Sequence, residues 1–203
     1  MPRRAAAALI LVLTLGAIAA ALLLRDRGDG IDESLGAFSN RGRPIEMAVP
    51  ERIGPPSFPK LTGKAFLITE REGLRFLRLP RVDGSSCWST AERRSGLWQL
   101  TNYGCEIGFA RFPDPKQPVM IVSRGEVLPA AALMAYHSFQ GFAADGVKRI
   151  AIIDAQDRVV PVADVVDNVF YAAKPPDRAK AVAALDGAGE VIWRGAEVQL
   201  PVE

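Results

Sequence analysis

The chain has 203 residues, 49% of them hydrophobic, with 25 Lys and Arg against 23 Asp and Glu, one His and two Cys. That length holds one domain of ordinary size plus an accessory segment, and the composition is globular rather than disordered or fibrous. Two of the basic residues, Arg3 and Arg4, precede a hydrophobic run; without them the charges balance at 23 of each sign, which excludes the one-sided basic face of a nucleic-acid binder.

Residues 5–24 carry no charge and a single hydroxyl, Thr14. Twenty helical residues at about 1.5 Å each reach roughly 30 Å, the thickness of a hydrocarbon core. Arg3 and Arg4 lie before the run, and Arg25, Asp26, Arg27 and Asp29 cancel after it. The charge bias predicts a single transmembrane signal-anchor helix over 5–24, a cytoplasmic stub over 1–4, and the remainder outside the membrane. The competing reading is a secretory signal cut after Ala17-Ile18-Ala19, which exports the domain without an anchor. That cut would leave Ala20-Ala21-Leu22-Leu23-Leu24 as an apolar new terminus, so the anchor is favoured.

Residues 25–61 interleave Pro44, Pro50, Pro55, Pro56 and Pro59 with Gly28, Gly30, Gly36, Gly42 and Gly54 and sustain no helical or strand period. They are expected to form a tether, which as a flexible coil would span ~35 Å. The extracytoplasmic domain is then placed at 62–203. Residues 64–69 and 74–79 read as strands of a hairpin turning at 70–73.

Cys87 and Cys105 are the only cysteines, and Gly96 lies midway between them. A fold-back at Gly96 brings the sulfurs together, so a disulfide is expected in an oxidising compartment. Their spacing suits neither a C-x-x-C redox motif nor zinc. Ser89-Thr90-Ala91-Glu92 has the spacing of a capping box, so a one-turn helix competes with a hairpin there. Residues 119–123 read as a strand, and residues 128–142 as a short apolar element, helix or strand.

The runs 148–154, 159–163, 165–173, 180–185 and 191–193 are β-rich and divided by turn residues. Residues 153–160 and 185–192 align with each other: an apolar strand ends at Asp154 or Asp186, a tight turn follows, and a Val-led strand returns. Asp at such a position accepts from the backbone two residues on. Short strands at this spacing predict a mainly β fold, an antiparallel β-sandwich-like domain with short helical turns behind the membrane helix.

Gly141, Gly146-Val147, Ile150-Ala151-Ile152, Val165 through Phe170, and Ala183-Ala184-Leu185-Asp186 with Val191-Ile192-Trp193 carry a resemblance. This last third of the chain resembles uncharacterised extracytoplasmic β-sandwich domains of actinobacterial proteins, of immunoglobulin or fibronectin-III type. The resemblance implies the fold; no activity or ligand comes with it.

No catalytic residue, cofactor site or metal site is expected. His137 is the only histidine, its neighbour Ser138 would point to the opposite face of a strand, and no G-x-S-x-G elbow is present. Asp154, Asp157, Asp164, Asp167 and Asp186 include no D-x-D-x-D-G run, so they read as turn and strand-end residues rather than calcium ligands. Arg71, Arg75, Arg78 and Arg81 read as the solvated face of strands. Trp88, Trp98 and Trp193 read as core, with a carbohydrate or peptide site as the alternative.

The expected function is a non-catalytic binding or structural role in the cell envelope. Its expected partners are the lipid bilayer, through residues 5–24, and an envelope protein or glycan; no nucleic acid. The expected binding surface is the loop around Trp88, Trp98 and Tyr103 with the turns at Asp154 and Asp186. The alternatives are an envelope hydrolase acting on wall or glycan, or the sensor module of a membrane complex.

Overall fold

A computed structural model describes residues 34–106, 112–122, 139–173 and 179–195, and the backbone of 125–128 and 133–136. The hydrophobic run at 5–24 and His137 lie outside the described residues. Among those described, no helix is long and apolar enough to cross a membrane. The fold is mainly β, and every strand pair is antiparallel.

The first sheet is a five-stranded meander in chain order: β1 (Arg43–Ile45), β2 (Ala65–Arg71), β3 (Leu74–Pro80), β4 (Ser86–Arg94) and β5 (Leu97–Cys105). Two of its turns take consecutive left-handed residues, Glu72 and Gly73 at φ 52° and 75°, and Ser95 and Gly96 at φ 49° and 83°. Two such residues make the hairpin turn whose twist matches that of the flanking strands. The second turn sets Cys87 directly opposite Cys105, and the two are bonded with an S–S distance of 2.08 Å. Ser89 through Glu92 therefore belong to a strand, not a helical turn.

Six consecutive residues of β4, Ser86 to Ala91, are buried, so this sheet is covered on both faces. On one face Leu67, Leu77, Leu79 and Ala91 pack with Ile45, Met47, Val49, Ile53 and Leu61. The stretch expected to be a tether is thus packed on the folded domain over residues 34–61 as an N-terminal strap. Its Ile45, Met47 and Val49 alternate at the two-residue period of extended chain and present one apolar side. Leu35 and Leu61 are buried as well. The prolines prevent a long ladder, and only the three residues of β1 pair with β2.

The remaining strands are β6 (Val119–Ile121), β7 (Gly125–Leu128), β8 (Leu133–Tyr136), β9 (Phe139–Ala143), β10 (Arg149–Ile153), β11 (Val159–Val166), β12 (Val169–Ala172), β13 (Ala181–Leu185) and β14 (Val191–Arg194). β7 and β8 form a separate hairpin; the others make a seven-stranded sheet ordered β14-β13-β10-β11-β12-β9-β6. β11 runs through Asp164 without a break, and the chain reverses instead at Asp167 and Asn168, at φ 50° and 64°. The first part of β11 pairs with β10 and its end pairs with β12. The sheet curls enough for its two edges to meet, where the Trp193 Nε1 donates to the Lys116 carbonyl at 3.0 Å. Phe139, Ile150, Phe170 and Val182 fill the concave side.

The two sheets meet through Ile68, Phe76 and Trp88 of the first and Met120, Phe142 and Val169 of the second, with Phe112 beside them. Phe76 and Phe142 stand edge to face at 5.7 Å. Close approach needs glycine: a Cβ on Gly104 would sit 2.9 Å from the Met120 sulfur, and one on Gly141 2.2 Å from the Met120 carbonyl oxygen.

Uncovering the outer face of the first sheet should be severe. Each buried aliphatic side chain contributes ~1.5–3 kcal/mol, and whole domains are stable by only ~5–15 kcal/mol. A chain beginning at residue 62 is expected to lose the cooperative thermal transition, followed by circular dichroism, that a chain beginning at residue 34 retains.

Candidate functional site

The residues expected to form one binding surface are dispersed. Trp88 is only 2% exposed and packs between the sheets. Trp98 belongs to the cluster on the opposite face of the first sheet, where the Arg75 guanidinium lies 4.1 Å from its ring centroid. Tyr103 is exposed, and Cys87 and Cys105 are occupied with each other.

Asp154 and Asp186 cap twin turns. The Asp154 Oδ1 accepts from the backbone N–H groups of Gln156 and Arg158, each at 2.9 Å, and the Asp186 Oδ1 accepts from Ala188 and Glu190 at the same distances. Asp157 and Gly189 take the left-handed position of each turn. The register sets Ile153 beside Ala181 and Arg149 beside Leu185, so the two turns lie at opposite ends of the curled sheet and cannot share a ligand. The backbone donation from Arg158 chiefly holds the Asp154 carboxyl below its usual range, with burial opposing and the Arg158 side chain assisting. Among the described residues no three His, Cys, Asp or Glu side chains gather as metal ligands do.

A different constellation forms where the sheets meet the N-terminal strap. The register aligns Phe66, Arg78, Trp88 and Gly104 in one row across β2 to β5. At the margin of that row Phe38, Trp88 and Phe112 stand edge to face, with centroid distances of 5.0, 5.8 and 4.9 Å. These rings, with Arg41, Arg78 and Glu106, line an open cleft of about 350 Å³. The Trp88 indole N–H donates to the Glu106 carboxylate at 3.4 Å.

Arg78 is the unusual member. Its Nε is buried and has no hydrogen-bond partner among the described residues. Its guanidinium lies 4.9 Å from the Phe66 ring centroid. Burial first, and the Arg41 charge second, lower its pKa, while Glu106 opposes them. Arg75 and Arg94, by contrast, have carboxylate partners, at 2.8 Å from Glu70 and 3.0 Å from Glu92. Among the described residues neither Arg41 nor Arg78 forms an ion pair.

The strap that carries Phe38 and Arg41 is fixed by a polar knot. The Asp145 carboxylate accepts from the Ser39 N–H at 3.1 Å, the Ser39 hydroxyl at 3.0 Å and the Asn168 Nδ2 at 2.8 Å. Asn168, itself buried, also donates to the Ala143 carbonyl, and the Asn40 side chain donates to the Ile68 carbonyl. Burial pushes the Asp145 carboxyl up, but the donors from Asn168 and Ser39 outweigh it and leave the pKa lowered.

The arginine series expected to face solvent is thus divided. Arg75 stacks on Trp98, Arg81 is 4% exposed, and Arg78 lines the cleft. The cross-strand register that sets Arg78 beside Trp88 is fixed by the sheet and was not read from the sequence. Phe38 and Arg41 lay inside the stretch read as tether.

No family model, curated protein or solved structure matches the chain.

Two outcomes test the knot. Asn168→Ala removes donors from buried acceptors and should cost about 1–3 kcal/mol in a denaturant titration. Asp145 has a depressed folded pKa, so its contribution is present above the unfolded value and lost as pH falls through the folded one. Asp145→Asn should therefore be less stable than the parent at neutral pH. The gap should begin to narrow below about pH 4, near the unfolded value, and close only as pH falls through the lower folded value.

Proposed function

We propose that the chain is a membrane-anchored extracytoplasmic β-domain with a non-catalytic binding role in the cell envelope. The apolar run at 5–24, preceded by Arg3 and Arg4, supports the anchor and its orientation. The Cys87–Cys105 bond supports an oxidising setting. The resemblance of the last third of the chain to extracytoplasmic domains of immunoglobulin type fits the same location.

The observation that carries the binding role is the cleft at the strap. Its guanidinium groups are suited to holding an anionic ligand by charge beside aromatic rings, and the surrounding sheets hold both in place. The N-terminal strap becomes part of the folded unit, so residues 25–33 are what separates the domain from the bilayer.

The test is the location and redox state of the full chain in cells. It is expected in the membrane fraction, cleaved by protease added to spheroplasts, and inert to thiol reagents until reduced. Recovery in the cytosol with Cys87 and Cys105 both labelled without reductant would overturn the reading.

A further inference from the structure

We propose that the cleft between the strap and the first sheet binds the carboxylate of a ligand with a flat or apolar body, with Arg78 and Arg41 as the anion-binding pair. This rests on the reading of the domain as a binding module and names the chemistry of its ligand.

Three observations carry it. A buried Nε on Arg78 has no acceptor among the described residues, although an unsatisfied buried charged donor costs free energy that neighbouring carboxylates would ordinarily relieve. A second guanidinium, that of Arg41, lies near enough to disfavour the Arg78 charge, and like charges are brought together where an anion is to be shared. Three aromatic rings, those of Phe38, Trp88 and Phe112, line the cleft beside them.

The charge of the lining selects among oxyanions. Two guanidinium groups and the Glu106 carboxylate leave one net positive charge, which a carboxylate neutralises. A phosphate dianion would add a second negative charge against Glu106, which the Trp88 indole N–H holds in place. The volume of about 350 Å³ suits a single small group, the end of a molecule rather than the whole of a large one.

Among the described residues neither guanidinium forms an ion pair. Arg41 is exposed on the strap. The knot of Ser39, Asn40, Asp145 and Asn168 holds the strap in register, so the two cations are positioned before a ligand arrives.

The experiment is a titration of the full chain in a neutral detergent, followed by the indole N–H signals of its tryptophans in a nitrogen-resolved NMR spectrum. The probes are phenylacetate, its neutral counterpart phenylacetamide, and inorganic phosphate. Phenylacetate should shift the Trp88 signal saturably and leave those of Trp98 and Trp193 in place; phenylacetamide should not. Arg41→Gln, at an exposed position, should weaken the phenylacetate response at least about tenfold, as loss of a charged hydrogen bond implies. Arg78→Lys, which keeps the charge but not the fork, should weaken it as well.

Equal responses to acid and amide, or none from either, would overturn the proposal. So would preference for phosphate, which would leave the binding module standing with a different ligand. The localisation result above is independent of all three, so failure of the ligand chemistry and failure of the envelope reading are separable.

Discussion

The structure depends on one constraint: strand β4 of the first sheet must be covered on both faces. Ser86 to Ala91 are all buried, and no single neighbour can achieve that. The second sheet covers one face through Phe76, Trp88 and Phe142. The chain between β1 and β2 covers the other through Ile53 and Leu61. The disulfide closes the same strand against β5. In the chain-entropy account a loop of this size contributes ~3 kcal/mol, a supplement to that packing rather than a substitute for it.

Covering the sheet from its N-terminal side has a consequence for the cleft. The segment that supplies Ile45, Met47 and Val49 to one face also delivers Phe38 and Arg41 to the margin of the other. Trp88 serves both purposes: its ring packs on Phe142 at 5.0 Å between the sheets, and its edge meets Phe38 at the cleft. In the proposed site, binding chemistry and core packing would share a side chain. A ligand at Arg78 would lie against a rigid wall, which limits the ordering cost of association.

Much of the local structure was legible from residue order. The alternation in 64–69 and 74–79, the fold-back at Gly96 that pairs Cys87 with Cys105, and the Asp-led turns at 154 and 186 all follow from short-range rules. The break expected at Asp164 was not found, because β11 keeps one extended run while changing partner from β10 to β12, and a change of partner leaves no mark in the sequence. The Asp-led turns read correctly as turns but not as neighbours, since strand order decides which ends coincide. The prolines of 44–59 suggested a tether; the apolar side formed by Ile45, Met47 and Val49 was the countersignal. The cleft was the least legible feature. Phe38, Arg78 and Phe112 come from three distant stretches, and only the sheet register and the strap bring them together.

The central claim is that the strap and the first sheet are one cooperative unit. Native-state hydrogen exchange tests it at the Leu61 and Val82 amides, which are bonded to the Glu51 and Lys60 carbonyls at 2.9 and 3.0 Å. The account predicts that both exchange with protection close to that of the β4 amides and lose it together in rising denaturant. Exchange of Leu61 and Val82 at the rate of an unfolded chain while β4 stays protected would contradict it.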